Sequence, residues 1–103
     1  MATDELRRLV LRSNDGSGVP VDTKVRVVPV SDGRVGCRAD DALAERVDND
    51  PRVSLVEGEA PARGTAVVVR SGRLYDEVHG RLRRARHLPV RTSSGPVLLI
   101  RLE

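Results

Sequence analysis

Residues 19–30 carry the strongest constraint in this chain. Val19, Val21, Thr23, Val25 and Val27 share one parity, while Asp22, Lys24 and Arg26 share the other. A period of two places the valines on one face of a strand and the charges on the opposite face. A helix would scatter both sets around its axis. Valine dominates the apolar residues, and its branched side chain favours the extended backbone. Asn14-Asp15-Gly16-Ser17-Gly18 before this run and Ser31-Asp32-Gly33 after it are dense turn signals. With short strands at 9–11 and 34–38, they predict two adjacent β-hairpins.

The period changes at Asp40. Asp40 or Asp41 caps a helix that runs to Asp48, with Leu43 and Val47 four apart on one face. Pro51 ends it, because the residue before a proline avoids helical angles. Residues 53–56 read as a strand and 58–64, rich in Gly, Pro and Ala, as a loop. Residues 65–70 hold three consecutive valines and predict a strand buried on both faces. Leu74, Val78 and Leu82 recur every four residues after Ser71, which reads as a cap, and predict an amphipathic helix ending near Arg86. A loop over 89–95 and a strand over 96–102 complete the chain. A single helical turn is expected at 3–8.

The order is thus β-β-β-α-β-β-α-β in a single domain of 103 residues. Short antiparallel strands with two inserted helices argue for a mainly β chain of the α+β kind, or for a barrel with helices plugging its ends. An open sheet would leave long edges, which closure or dimerisation removes.

Charge narrows the partners. Net charge is +3 from 18 basic and 15 acidic residues, and Lys24 is the one lysine. The acids are spread along the chain, so a weak attraction to anions follows but not a nucleic-acid partner. Arg81, Arg83, Arg84, Arg86 and His87 crowd the second helix's end, where cations complement the helix dipole. A single-strand binder would also need aromatic platforms, and Tyr75 is the only aromatic. Cys37 is the one cysteine, which excludes an intrachain disulfide and fits a reducing, cytoplasmic setting. No apolar run reaches the length of a membrane span. One Cys with His79 and His87 is too few ligands for a closed zinc site, so no metal is expected. Cys37 reads as a small core residue.

Asp32-Gly33-Arg34-Val35, the short strand and helix that follow, and Asn49-Asp50-Pro51-Arg52-Val53-Ser54-Leu55 resemble the pyridoxamine-phosphate-oxidase-like split barrel. Within that superfamily the chain looks most like small flavin- or deazaflavin-dependent oxidoreductases. The resemblance spans about residues 9–102 and includes Ala66-Val67-Val68-Val69 and the last strand. It implies a six-stranded antiparallel split β-barrel, a homodimer with cofactor grooves between subunits, FMN or the deazaflavin coenzyme as cofactor, and hydride transfer to a small organic acceptor. The family's short strand commonly ends in Thr or Ser and its helix opens with Lys, both serving the cofactor phosphate. Here those positions carry Arg38 and Leu43. Lys24 or Arg26 occupies the family's basic position on the second strand.

Lys24, Arg26 and Arg38 are therefore the candidate cofactor-binding residues, holding phosphate. A solvated outer barrel face is the alternative reading of the same three. No catalytic side chain is nominated. Asp40 and Asp41 would repel a phosphate at the first helix, and with Leu43 they favour a cofactor-free dimeric binding or scaffold module of the same fold.

Overall fold

The computed structural model of the chain describes residues 7–86 and 95–103. Eight elements follow in the expected order: β1 (Arg7–Asn14), β2 (Pro20–Pro29), β3 (Val35–Arg38), α1 (Asp41–Asn49), β4 (Arg52–Glu57), β5 (Ala60–Val69), α2 (Arg73–Arg86) and β6 (Val97–Leu102). The six strands form a closed antiparallel barrel in the order β1-β2-β3-β6-β5-β4. Pairing of β1 with β4 and of β3 with β6 closes it, so every described strand has a partner strand on each side.

Two hydrophobic clusters hold the barrel. Leu9, Leu11, Val25, Val27, Cys37 and Ile100 belong to the interior cluster, which α1 completes with Leu43, Ala44 and Val47. Asp40 caps α1, its carboxylate accepting from the Leu43 N–H at 2.8 Å. The second cluster lies outside the barrel, where Val78 and Leu82 of α2 cover Val28, Val30, Val97 and Leu99. Alternation in β2 therefore ends at Val27: Val27 faces in, Val28 faces α2, and both are buried. Within the barrel, buried Ser13 accepts from Arg46 Nε at 3.0 Å, and Arg46 Nη2 donates to Thr23 Oγ1 at 3.3 Å. The polar atoms that α1 brings against the barrel are thus satisfied.

The structure corrects several local expectations. Residues 60–64 are strand, not loop, because Glu57 pairs with Ala60 across a two-residue hairpin. Gly58, at φ +67°, supplies the positive φ that such a hairpin favours. Val67 is 51% exposed, not buried: β5 turns Ala66 inward and Val69 towards α2, and among the described residues no element packs over Val67. Val19 precedes β2 and is 55% exposed. Gly72, not Ser71, caps α2, accepting from the Asp76 N–H at 3.0 Å. Arg7 and Arg8 are strand, not helical turn; the rest of that expected turn, like His87 and the loop expected at 89–95 up to residue 94, lies outside the described residues. Among the described residues, no helix is long and apolar enough to cross a membrane.

Gly36 sets how closely α2 approaches. A Cβ at this position would lie 2.5 Å from Val78 Cγ2 and 3.2 Å from Val30 Cγ2. Val78 is fully buried and its branched side chain is stiff in a helix, so α2 itself would have to move. Gly36→Ala should destabilise the fold by about 1–3 kcal/mol in urea unfolding. Gly16→Ala is the control, since nothing lies within 4 Å of its Cβ position. Equal stability of the two variants would show that α2 does not press on β3.

Candidate functional site

The strand register decides where the charged face of β2 goes. Because Leu9 and Val25 face the interior, Arg8, Lys24 and Arg26 face outward. Arg12 stands opposite Asp22, and the two form an ion pair at 2.8 Å. Val10 stands opposite Lys24, and at the next outward position Arg8 stands opposite Arg26. Along a single ladder the pairing changes from complementary to like-charged. Val27 pairs with Cys37, so one step further along the same register Arg26 stands beside Arg38. Arg8, Arg26 and Arg38 thus form a row across three strands, flanked by Lys24.

That row borders a cleft of about 890 Å³, within the range of small-molecule sites. All three candidates from the sequence, Lys24, Arg26 and Arg38, line it. So does Arg8, which the sequence reading missed. Its partner across the ladder is 18 positions away, and only the register reveals the pairing. The cleft also has aliphatic walls, including Val10, Val56 and Leu82.

Two carboxylates line the cleft with these four cations, and both are engaged. Glu57 is ion-paired with Arg7, and Asp40 caps α1. Among the described residues, no ion pair or side-chain hydrogen bond occupies Arg8, Lys24 or Arg26. Like charges opposite each other on a sheet are destabilising, and this row carries three. An anion in the cleft would relieve that repulsion. Asp41 is exposed and does not line the cleft. Leu43 is 1% exposed, a core residue at the cleft floor rather than a phosphate donor.

The other titratable candidates fall elsewhere. Cys37 is fully buried inside the barrel, and burial pushes its thiol up to about 12, so no nucleophilic thiolate forms at neutral pH. His79 is 7% exposed on α2, edge-on to Tyr75 at 4.5 Å between ring centroids. Its Nε2 lies 3.2 Å from the Gly95 carbonyl oxygen, while the Gly95 N–H donates to the Tyr75 hydroxyl at 3.5 Å. Burial lowers the His79 pKa, with Arg38 and Arg83 adding to the effect against the Gly95 carbonyl and Asp76. Arg81 of the basic helix end pairs with Glu77 at 2.9 Å, and Glu77 also accepts from the Ser31 N–H at 2.9 Å. That pairing ties α2 to the β2–β3 turn. Among the described residues, no three His, Cys, Asp or Glu side chains converge on a metal position.

The site residues fit the phosphate-bearing end of a flavin-type cofactor, since four cations surround the cleft. They fit the ring less specifically. Tyr75, the single aromatic, projects from α2 against the outer hydrophobic cluster and does not line the cleft, so a ring would rest on aliphatic side chains.

Two outcomes test this geometry. Arg26→Gln should raise stability by a few tenths of a kcal/mol at low salt by relieving cross-strand repulsion, and the gain should fade near 0.15 M salt, where screening acts over about 8 Å. Arg12→Gln, which breaks the pair with Asp22, should change stability in the opposite direction; the same sign for both would refute the contrast along the ladder. The second outcome concerns His79. A pKa lowered by folding means that the unfolded chain binds the extra proton first. Stability is then full above about 6.5, the ordinary value, and falls as pH drops below it. In chemical denaturation from pH 7.5 to 5.5, His79→Gln should flatten that slope; an unchanged slope would assign it to other groups.

No protein-family model matches the chain, and no curated protein matches it.

Proposed function

We propose that the chain is a divergent member of the pyridoxamine-phosphate-oxidase-like split barrels and binds FMN or a deazaflavin coenzyme in the arginine cleft. The observation that supports this most is the convergence of Arg8, Lys24, Arg26 and Arg38 on one cleft of a six-stranded barrel with two helices. Lys24, Arg26 and Arg38 hold the cofactor phosphate, and Arg8 completes the cationic wall. Arginine suits this task, because its planar fork meets phosphate oxygens two at a time. When bound, the flavin-type ring supplies hydride transfer to or from a small organic molecule. The chain's own residues anchor the phosphate and give the ring a low-polarity wall at Val10 and Val56.

A homodimer completes the site in this reading. Val10 and Val56 stand opposite each other on the outer face of β1 and β4, and α2 packs instead against β2, β3 and β6. A second copy over this face would exclude water from the cleft. A buried, unreactive thiol is compatible with the cytoplasm.

A second reading has its own support. Leu43 is a core plug and the cleft lacks an aromatic platform, which favours a cofactor-free dimeric binding or scaffold module.

Fluorescence titration separates the two. FMN or the deazaflavin should bind with a Kd below ~30 µM, corresponding to roughly −6 kcal/mol. Riboflavin, which lacks the phosphate, should bind at least about tenfold more weakly if charge-assisted hydrogen bonds anchor the phosphate. No binding of either coenzyme would reject the oxidoreductase in favour of the module, and equal binding of FMN and riboflavin would reject the phosphate anchor.

A further inference from the structure

We infer that the cleft opens on an unpaired stretch of the β2 edge, and that an extended acidic peptide pairs with this edge as an added strand. The inference goes beyond the proposed function and needs no flavin ring.

Register is the first argument. β2 runs from Pro20 to Pro29, yet its ladder with β3 covers only Val27, Val28 and Pro29. On its other side β1 pairs with it from Pro20 to Val27. Among the described residues, 20–26 therefore have a partner strand on one side alone. The cause lies in the chain itself: β3 ends at Arg38, and Asp40, which the same register would set against Lys24, already caps α1.

Two hydrogen bonds fix which backbone groups face the open side. The Asp15 N–H donates to the Val19 carbonyl at 2.9 Å in the first hairpin, and the Val30 N–H donates to the Arg34 carbonyl at 2.8 Å in the second. Backbone polar groups alternate sides along a strand. Alternation from Val19 directs those of Val21, Thr23 and Val25 towards β1. Alternation from Val30 directs those of Asp22 and Lys24 towards the side that β3 has left, and the two assignments coincide. Thr23, Lys24, Val25 and Arg26 line the cleft, so the cleft occupies the lane in which β3 would have continued. Such an edge is a template for strand addition.

Charge names the partner. Among the described residues, Arg8, Lys24 and Arg26 have no ion-pair partner, and Asp40 keeps its negative charge while capping α1. Arg38 is already engaged and Glu57 pairs with Arg7, so neither enters this balance. Three cations against one carboxylate call for a small number of acidic groups. In an added strand, residues level with Lys24 point outward to these cations, and the intervening ones turn to the side of Thr23, Val25 and Leu43. A peptide that alternates acidic and apolar residues meets both. A second copy of β2 does not, because it would bring further cations to an edge that already carries an excess.

Fluorescence polarisation with a labelled, end-blocked hexapeptide of alternating valine and glutamate tests this at fixed ionic strength. It should bind with a Kd below ~100 µM, and lysine in place of glutamate should weaken it at least about tenfold. N-methylation of one alternate set of its amides should weaken binding at least about tenfold, and N-methylation of the other set less than about twofold. General attraction of acids to a basic surface would not distinguish the two sets, so an equal effect of both would overturn the inference. Lys24→Gln should weaken the acidic peptide several-fold, and Arg63→Gln, on β5 and outside the cleft lining, should not. In amide exchange followed by NMR, Lys24 should exchange rapidly in the free chain while Thr23 and Val25 exchange slowly, and the peptide should protect Lys24. Protection of Lys24 without peptide would mean that the edge is already filled, by the chain itself or by a second copy, and would overturn the inference as well. FMN binding without peptide binding would sink this inference alone. Peptide binding without either coenzyme would sink the flavin reading alone.

Discussion

Closure of the backbone hydrogen-bond network is the constraint on which everything else in this molecule depends. Six short strands, the briefest of four residues, hold a shape because β1 meets β4 and β3 meets β6. Without those two seams the sheet would expose unpaired edges, and its valines would have no interior to line. Closure also fixes register, since a slip of one residue would turn Leu9, Val25 and Val27 to solvent. Positions 8, 26 and 38, distant in the chain, are therefore held in a row by main-chain bonds rather than by any attraction between their side chains.

The structure tolerates that row at a cost. Elsewhere on the same surface the charges are matched: Arg12 with Asp22, Arg34 with Asp32, Arg52 with Asp50. Such exposed pairs contribute little stability each, but they show what an ordinary barrel surface looks like. Arg8 and Arg26, opposite each other beside the cleft, depart from it. Local rules of a fold are most often broken at functional sites, where a ligand supplies what the side chains lack.

A second feature is the division of labour between the helices. α1 plugs the interior and contributes Leu43, Ala44 and Val47 to it, so the position expected to meet phosphate is spent on packing. α2 lies outside, admitted by the bare backbone of Gly36, and buries a second apolar layer on β2, β3 and β6. The small chain thus uses both faces of those strands, which offsets its shortage of large aromatic side chains. The cleft lies beside β1 and β2, with Leu43 of α1 and Leu82 of α2 among its lining.

Much of the fold was legible in the residues. Period two in 19–27, the cap at Asp40, Pro51 and the fourfold spacing of Leu74, Val78 and Leu82 are local signals, and local physics sets element type. Lys24, Arg26 and Arg38 were legible as candidates because charge on a strand's polar face is visible in sequence. The 60–64 strand was not: its Gly, Pro and Ala composition reads as a loop, and only the pairing of Glu57 with Ala60 makes it extended. Exposure of Val67 was equally hidden, since it depends on where α2 stops covering the sheet. The sequence alone determined eight elements and their order, because turns, caps and periodicity act over a few residues. Tertiary structure alone decided that Arg8 joins the cations, that α1 seats its apolar face inside the barrel, and that one ladder ends in repulsion. Those outcomes depend on which backbones lie side by side, a relation set by closure of the whole barrel.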